Sequence, residues 1–274
     1  MGTGTIMLWL ILGGLVALVA WLYARHRGAA FEASIATLRS QIEAHQVGTT
    51  PELPPIVRTF AERAGGRIAG SRVIHRRHKA SLSTSQGRPP IAITTDQWLN
   101  TRTPGFVWRA AASVSGAPVV VVDSYASGKG VLSARLFGVW QVAGGVGPDY
   151  DRGELMRYLS ELPVHPDAIL NNGALAWRQI DARTVDVAAE SPSGSVTVTF
   201  AFDSHGDIVG MRAEDRPMAV SRTTVPTPWL GTYDKYRQFG EYRIPSYGEV
   251  GWLLPAGLFV YWRGAIVAYA PVRD

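Results

Sequence analysis

Residues 195–202 read SVTVTFAF, an alternation of large apolar side chains with small or hydroxyl-bearing ones. A period of two is that of an extended strand, so the two valines and two phenylalanines point to one face. The next five residues, DSHGD at 203–207, contain the Asp and Gly typical of a turn, and they lead into a second apolar run at 208–213. The stretch therefore predicts an antiparallel hairpin with one buried face.

Similar β-rich runs lie on both sides of this hairpin. The further predicted strands are Ile91–Leu99, Phe106–Val114, Val119–Ala126, Val131–Val142, Arg183–Ala189, Tyr233–Phe239, Tyr247–Leu254 and Val260–Ala270. From residue 55 onward, helical spacing occurs at 55–64, at 151–162 and in a turn at 167–171. Because short turns join most strands and no βαβ alternation is present, we predict a mainly β (α+β) fold built on an antiparallel sheet with one or two packing helices.

Residues 5–24, TIMLWLILGGLVALVAWLYA, carry no charge. About 20 apolar residues suffice to cross a bilayer as a helix. Trp21 and Tyr23 end the run, and Arg25 and Arg27 follow it. We predict a single-pass anchor in the cell membrane with the main domain on the cytoplasmic side, since positive charge flanks only the C-terminal end. A cleaved signal peptide is the alternative, although the first residues lack a basic segment.

A Pro-rich segment, GTTPELPP at 48–55, is the clearest boundary in the chain. Before it, an apolar stripe at helical spacing predicts a helix that lies on its own domain or on the bilayer surface. The stripe consists of Phe31, Ile35, Leu38 and Ile42. We therefore predict a transmembrane anchor at 1–27, a juxtamembrane helix with a Pro-rich linker at 28–54, and an antiparallel β-rich domain at 55–274.

The composition excludes several chemistries. The chain has no cysteine, which rules out disulfides, thiolate zinc sites and cysteine nucleophiles. Its net charge of +5 is spread along the chain, and only residues 72–79 form a dense basic run. We interpret that run as a solvated strand face, with contact to phosphate or lipid headgroups as the alternative. We expect no nucleic-acid partner and no cofactor, and no particular protein partner is indicated.

Residues 127–130, Ser-Gly-Lys-Gly, resemble a phosphate-binding loop at first sight. A P-loop requires Ser or Thr after the lysine and a helix beyond it, whereas Gly130 and a strand pattern follow here. We predict a hairpin turn instead. His75 and His78 are three positions apart, which places them on opposite faces of a strand and argues against a metal pair.

No nucleophile elbow and no zinc-protease motif occurs in the sequence. Scattered carboxylates remain as acid–base candidates, and sequence alone pairs none of them across a cleft. These are Asp123, Glu154, Glu161, Glu241 and Glu249. We therefore assign no catalytic and no metal-binding residue, and we lean against an enzyme.

Aromatic residues are dense in PTPWLG at 226–231 and FVYWRG at 259–264. Core filling is the ordinary explanation of such clusters, and an aromatic-lined concavity with a few arginines is the alternative. The residues that we predict to line or rim such a ligand-binding cavity are Tyr125, Arg135, Trp177, Trp229, Tyr261, Trp262 and Arg263.

Several stretches resemble an uncharacterised bacterial family of unknown function. They include LPPIVRTF, TPGFVW, DSYASGKG, GELMRYLSEL, TPWLGTYDKYRQFGEYRIPSYGEVGW and YWRG. The order of strands and helices is also similar to that of the Lol-type lipoprotein carriers. That resemblance implies a strongly curved antiparallel sheet, an incomplete β-barrel around a hydrophobic cavity, with helices as a lid. The chain lacks the acylated Cys of membrane-attached carriers.

These observations favour a membrane-anchored β-rich domain that binds a lipid-like or other apolar ligand without catalysis. Two alternatives remain open. One is a membrane-tethered protein-interaction module without a cavity, and the other is an unrecognised hydrolase that uses Asp, Glu or His. The hydrolase requires at least two titratable groups that converge in one cleft.

Overall fold

The computed structural model describes residues 2–44, 48–221 and 223–272. The helices are α1 Thr3–Glu43, α2 Pro55–Arg63, α3 Pro148–Ser160 and α4 Pro166–Asn171, with a short 3-10 helix at Leu162–Val164. The strands are β1 Val73–Leu82, β2 Ile91–Asn100, β3 Phe106–Val114, β4 Ala117–Ala126, β5 Lys129–Leu136, β6 Trp140–Val146, β7 Ala176–Gln179, β8 Thr184–Ser191, β9 Gly194–Phe202, β10 Ile208–Val220, β11 Thr223–Phe239, β12 Tyr242–Leu254 and β13 Gly257–Pro271.

Within the described residues, the strands form one antiparallel sheet of 13 strands in the order β6-β5-β4-β3-β2-β1-β13-β12-β11-β10-β9-β8-β7. Every strand except the two at the ends lies between neighbours, and β1 pairs with β13, so both termini of the β-region meet in the middle. The sheet curls into a half-barrel, which confirms the predicted mainly β, incomplete-barrel fold. The strand predicted at 131–142 is corrected to two, because Phe137 and Gly138 take positive φ and turn β5 into β6.

The hairpin predicted from SVTVTFAF is confirmed as β9 and β10. The two valines and two phenylalanines of β9 are buried, while Thr197 and Ala201 are exposed on the other face. The inward side chains belong to the main core, which also contains residues from α2, α3 and α4. Helices therefore cover part of the concave face of the half-barrel. The core lies between these helices and the sheet.

Helix α3 packs inside the curl of the sheet rather than on its surface. Eight of its 13 residues are buried, including polar ones such as Asp151 and Glu154. Its neighbours include β4, β5 and β6 on one arm of the sheet and β8, β9 and β10 on the other. A helix enclosed on several sides buries residues outside the usual apolar stripe, and this places charged side chains in the interior.

The C-terminal half of α1 packs on the outer, convex face of β2, β3 and β4. Phe31, Ile35 and Ile42 are buried there against Val107 and Val122. These residues belong to the apolar stripe read from the sequence, and the sheet is the surface that they cover. Residues 45–47 of the predicted linker lie outside the described residues, and the division into three segments remains a prediction.

No helix within the described ranges combines the length and the apolar character needed to cross a membrane. The helix that contains the uncharged run at 5–24 continues into residues 25–43, which carry charged side chains and contact the sheet. The predicted localisation, a single-pass protein of the cell membrane with its main domain in the cytoplasm, is therefore wrong. The membrane contact predicted through residues 5–24 is not shown by the structure and stays a prediction.

Candidate functional site

A cavity of about 1260 Å³ lies between the concave face of the sheet and α3. Its walls are formed by inward side chains near the ends of strands, and most of them are aliphatic or aromatic. The apolar wall consists of Leu82, Ile91, Ile93, Ala110, Ala112, Val119, Val121, Leu132, Leu136, Val142, Val250, Trp252 and Trp262. Alternation along each strand explains this wall, since every second residue of β2, β3, β4 and β5 points inward.

The polar side of the cavity is built around Arg157 on α3. Its guanidinium contacts the carboxylates of Asp123 on β4 and Glu161, the latter at 3.2 Å. The same guanidinium lies 4.7 Å from the ring centre of Trp108 and 4.9 Å from that of Phe106. Burial opposes a charged arginine, but the neighbouring carboxylates outweigh it and raise the pKa of Arg157. This arginine therefore stays charged inside the half-barrel.

Arg76 on β1 adds a second buried cation. Its guanidinium lies 2.6 Å from Glu161 and donates a 2.9 Å hydrogen bond to Gln97. Burial lowers the pKa of Arg76, while Glu161 partly opposes that effect.

Residue 76 belongs to the basic run at 72–79, which we interpret from the sequence as a solvated strand face. The strand instead alternates, with Arg76 and His78 inward and buried and Arg77 and Lys79 outward. His75 and His78 lie on opposite faces, as the sequence predicts.

Arg216 on β10 is the third buried cation of the cavity. Its Nε donates to the carbonyl oxygen of Gly153 at 3.2 Å, and its Nη1 donates to the hydroxyl of Tyr261 at 3.0 Å. The guanidinium lies 4.0 Å from the ring centre of Trp229 and 5.5 Å from that of Trp252. Its position is held by two aromatic rings and two uncharged oxygen atoms.

Glu154, on α3, is the carboxyl nearest to Arg216, and its Oε1 lies 3.9 Å from Nη2. Burial raises the pKa of Glu154 well above its usual value, and the neighbouring Asp123 carboxylate raises it further. Asp123 Oδ1 and Glu154 Oε2 are buried, and neither has a conventional hydrogen-bond partner among the described residues. A protonated Glu154 that donates to Asp123 satisfies both atoms.

Two β-bulges decide which residues face the cavity. In β10, Ala213 lies opposite Trp229 but Arg216 lies opposite Thr227, so one extra residue is inserted and Arg216 turns inward. In β13, Val250 of β12 pairs with Trp262 and Gly251 with Val260, which leaves Tyr261 unpaired. Because of this insertion, the adjacent residues Tyr261 and Trp262 both line the cavity.

Of the residues predicted to bind a ligand, the structure brings Trp229, Tyr261 and Trp262 together at the cavity. Tyr125 faces inward but is buried in the core. Trp177 stacks on Phe200 and lines a separate cavity of about 250 Å³.

The two predicted arginines lie elsewhere. Arg135 lies on the convex face, 4.1 Å from the ring centre of Phe31, and Arg263 forms a partly exposed pair with Glu249 at 3.2 Å. Sequence reasoning missed Arg76, Arg157 and Arg216.

The loop at 127–130 is the predicted hairpin turn. Ser127 and Gly128 take positive φ between β4 and β5, as a two-residue hairpin turn requires. The amide of Gly130 donates to Asp151 Oδ1 at 2.7 Å, so the turn holds the first turn of α3. Within the residues that the structure describes, no group of three His, Asp or Glu side chains is arranged to hold a metal ion.

The buried His165 leads to a prediction for how the stability of the protein depends on pH. It is buried, and neither ring nitrogen has a hydrogen-bond partner among the described residues. Burial, and then the charge of Arg76, holds its pKa well below 6.5. Below about pH 6.5 the unfolded chain binds a proton that the folded chain excludes, so the free energy of unfolding falls by up to ~1.4 kcal/mol per pH unit for this group.

The measurement is urea unfolding of the wild type and of His165→Phe, from neutral pH downward. The variant is expected to lose stability less steeply as the pH falls. Equal slopes for the two proteins would contradict the assignment.

Comparison with known proteins places this chain in a protein family whose activity is not assigned. A family profile described as "Family of unknown function (DUF6544)" matches residues 44–264. Among curated proteins, none matches this chain. The resemblance to an uncharacterised family that the sequence predicts is confirmed.

Comparison with solved structures finds matches at low sequence identity. A LolA superfamily protein from Nitrosomonas europaea is 10% identical, with a TM-score of 0.43, over 80% of this chain and 94% of that one. A putative outer membrane lipoprotein-sorting protein domain from Vibrio parahaemolyticus is 9% identical, with a TM-score of 0.42, over 78% and 91%. A DUF1329 family protein from Desulfovibrio piger is 8% identical, with a TM-score of 0.38, over 80% and 92%. The similarity to Lol-type proteins is therefore found, and no activity follows from it.

Proposed function

We propose that this chain, which belongs to the family of unknown function DUF6544, binds a lipid-like or other apolar ligand within its half-barrel without acting on it chemically. The observation that carries the proposal is the cavity itself. It is large, it lies on the concave face of the sheet, and apolar side chains form most of its wall. Burial of an apolar chain against such a wall is favourable by about 25 cal/mol per Å² of apolar surface.

The size of the cavity supports a ligand of the lipid class. Its volume of about 1260 Å³ exceeds the range of roughly 300–1,000 Å³ that is typical of small-molecule sites. The charged groups Asp123, Glu154, Arg157 and Glu161 lie on or against α3, while most of the lining residues of β2 to β5 are apolar. This separation of polar and apolar surfaces suits an amphipathic molecule with one polar end.

The alternatives are less well supported. An interaction module without a cavity does not account for the large apolar space on the concave face. Asp123 and Glu154 converge, as the hydrolase hypothesis requires, but Asp123 serves as a counter-ion for Arg157. The hydrolase therefore remains a prediction, and no observation favours it over binding.

The test uses N-phenyl-1-naphthylamine, an uncharged apolar probe that fluoresces in apolar surroundings, with the delipidated full-length chain. The wild type is expected to bind the probe and to release it when a long-chain lipid is added. Ala112→Phe adds a ring to the cavity wall, because Ala112 faces inward between Ile93 and Val119. We expect probe affinity to fall by about tenfold or more, or ~1.4 kcal/mol.

Ala111→Phe is the matched control, because Ala111 is the neighbouring residue on β3 and its side chain is exposed on the other face. This variant is expected to bind the probe like the wild type. Absence of probe binding to the wild type would refute the proposed function. Equal loss in both variants would place the probe outside the cavity and refute the site.

A further inference from the structure

We infer that the polar end of the ligand is an anion, a carboxylate or a phosphate, and that Arg216 is the residue that binds it. This inference rests on the proposed function and adds the chemical class of the headgroup. It starts from the hydrogen bonds and contacts of Arg76, Arg157 and Arg216, three largely buried arginines in the cavity lining.

The three arginines differ in their counter-ions. Arg157 contacts two carboxylates, and Arg76 lies 2.6 Å from one of them, Glu161. Arg216 has no carboxylate within hydrogen-bond distance among the described residues, since Glu154 is 3.9 Å away. Its hydrogen bonds go to a main-chain carbonyl and to a tyrosine hydroxyl, both uncharged. Arg216 is thus the cavity arginine whose charge is least compensated.

The state of Glu154 increases this imbalance. Burial and the Asp123 carboxylate both raise the pKa of Glu154, which favours its neutral acid. Asp123 and Glu161 are then the carboxylates that face Arg76, Arg157 and Arg216, while the other acidic residues of the lining, Asp149 and Glu249, bond to Thr224 and to Arg263 and Tyr247. A buried charge without a paired and hydrogen-bonded counter-ion costs free energy, so an anion that enters the cavity is stabilised at this position.

The surroundings of Arg216 suit the end of an amphipathic molecule. Trp229 and Trp252 hold the guanidinium plane, and Tyr261 anchors one of its nitrogens. A guanidinium fixed in this way presents its free N–H groups in the fork geometry that matches a carboxylate or phosphate. Both tryptophans line the cavity, so apolar surface begins next to the charged group.

The experiment compares ligands that share one alkyl chain and differ only in the head. Hexadecanoate, hexadecyl phosphate, hexadecanol and hexadecyltrimethylammonium displace N-phenyl-1-naphthylamine from the full-length chain at constant pH and salt. One or both anions are expected to bind about ten- to a hundredfold more tightly than the alcohol, as expected for one charge-assisted pair. The tighter anion identifies the head as carboxylate or phosphate.

Arg216→Met removes the charge and keeps an unbranched apolar side chain against the two tryptophans. The preference for the anion over the alcohol is expected to fall to about twofold or less. Arg135→Met is the matched control, because Arg135 also lies over an aromatic ring, that of Phe31, but on the convex face. That variant is expected to retain the full preference.

The outcomes separate this inference from the proposed function. If none of the four compounds displaces the probe, the proposed function fails. If the alcohol or the cation binds as tightly as the anions, lipid binding stands and the anionic head is refuted. The comparison of heads in the wild type decides this even if Arg216→Met does not fold. An unchanged preference in a folded Arg216→Met variant would refute the role of Arg216.

Discussion

Arg157→Met is expected to lower the free energy of unfolding by about 3–5 kcal/mol, the cost of leaving a buried partner charge unpaired. The Asp123 carboxylate is largely buried, and Arg157 is its ion-pair partner. Glu161 retains its ion pair with Arg76 after the substitution, so Asp123 is the carboxylate that is left without its cation. Methionine preserves contact with the rings of Phe106 and Trp108, which separates the electrostatic effect from packing.

The measurement is equilibrium urea unfolding, and an exposed pair supplies the control. Arg178 and Asp186 also form an ion pair, at 2.8 Å, but the Arg178 side chain is 76% exposed. Arg178→Met is expected to cost about 0–1 kcal/mol, as surface pairs do. Adding Asp123→Asn to Arg157→Met should recover part of the lost stability, because it removes the stranded charge. Equal losses for Arg157→Met and Arg178→Met would contradict a buried ion-pair network.

The sheet was largely predictable because its strands follow local rules. SVTVTFAF alternates without interruption, and the turn residues after it set the hairpin of β9 and β10. The same reasoning separated a hairpin from a phosphate site at 127–130. It failed at 131–142, where a turn at two residues of positive φ lies inside a run of β-formers. Such a turn leaves little signal when one of its residues is a phenylalanine.

The charged side of the cavity was not predictable from these rules. The predicted strand ends at Ala213, and the bulge that follows reverses the alternation before Arg216. Arg157 lies outside the apolar stripe of a helix that the curled sheet encloses, so its side chain is largely buried, at 16% exposure, although helical spacing gives no sign of it. Its partner Asp123 is 34 positions away, and only the tertiary fold brings the two together. The aromatic cluster, in contrast, was found from local density alone.

Gly130→Ala is the second large effect that we expect, with a loss of about 3 kcal/mol, at the upper end for overpacking. A Cβ at Gly130 would lie 2.2 Å from the carbonyl oxygen of Tyr150 and 2.8 Å from the amide nitrogen of Asp151. Both atoms are main chain, so no side-chain rotation relieves the contact. The start of α3 must move away from the sheet, which weakens the hydrogen bond from the Gly130 amide to Asp151.

Gly153→Ala is the matched control, and its expected effect has the opposite sign. Gly153 lies within α3, and a Cβ there meets no atom within 4 Å. Alanine is favoured over glycine in a helix by up to ~1 kcal/mol, so this variant should unfold at a higher urea concentration than the wild type. Both substitutions add a methyl group inside the half-barrel. The methyl group at position 130 meets the main chain of α3, whereas the one at position 153 meets no atom within 4 Å. If both destabilise the protein equally, the close approach of β5 to α3 is not what requires glycine at position 130. A loss confined to Gly130→Ala shows that this contact places α3, and with it Glu154 and Arg157, inside the half-barrel.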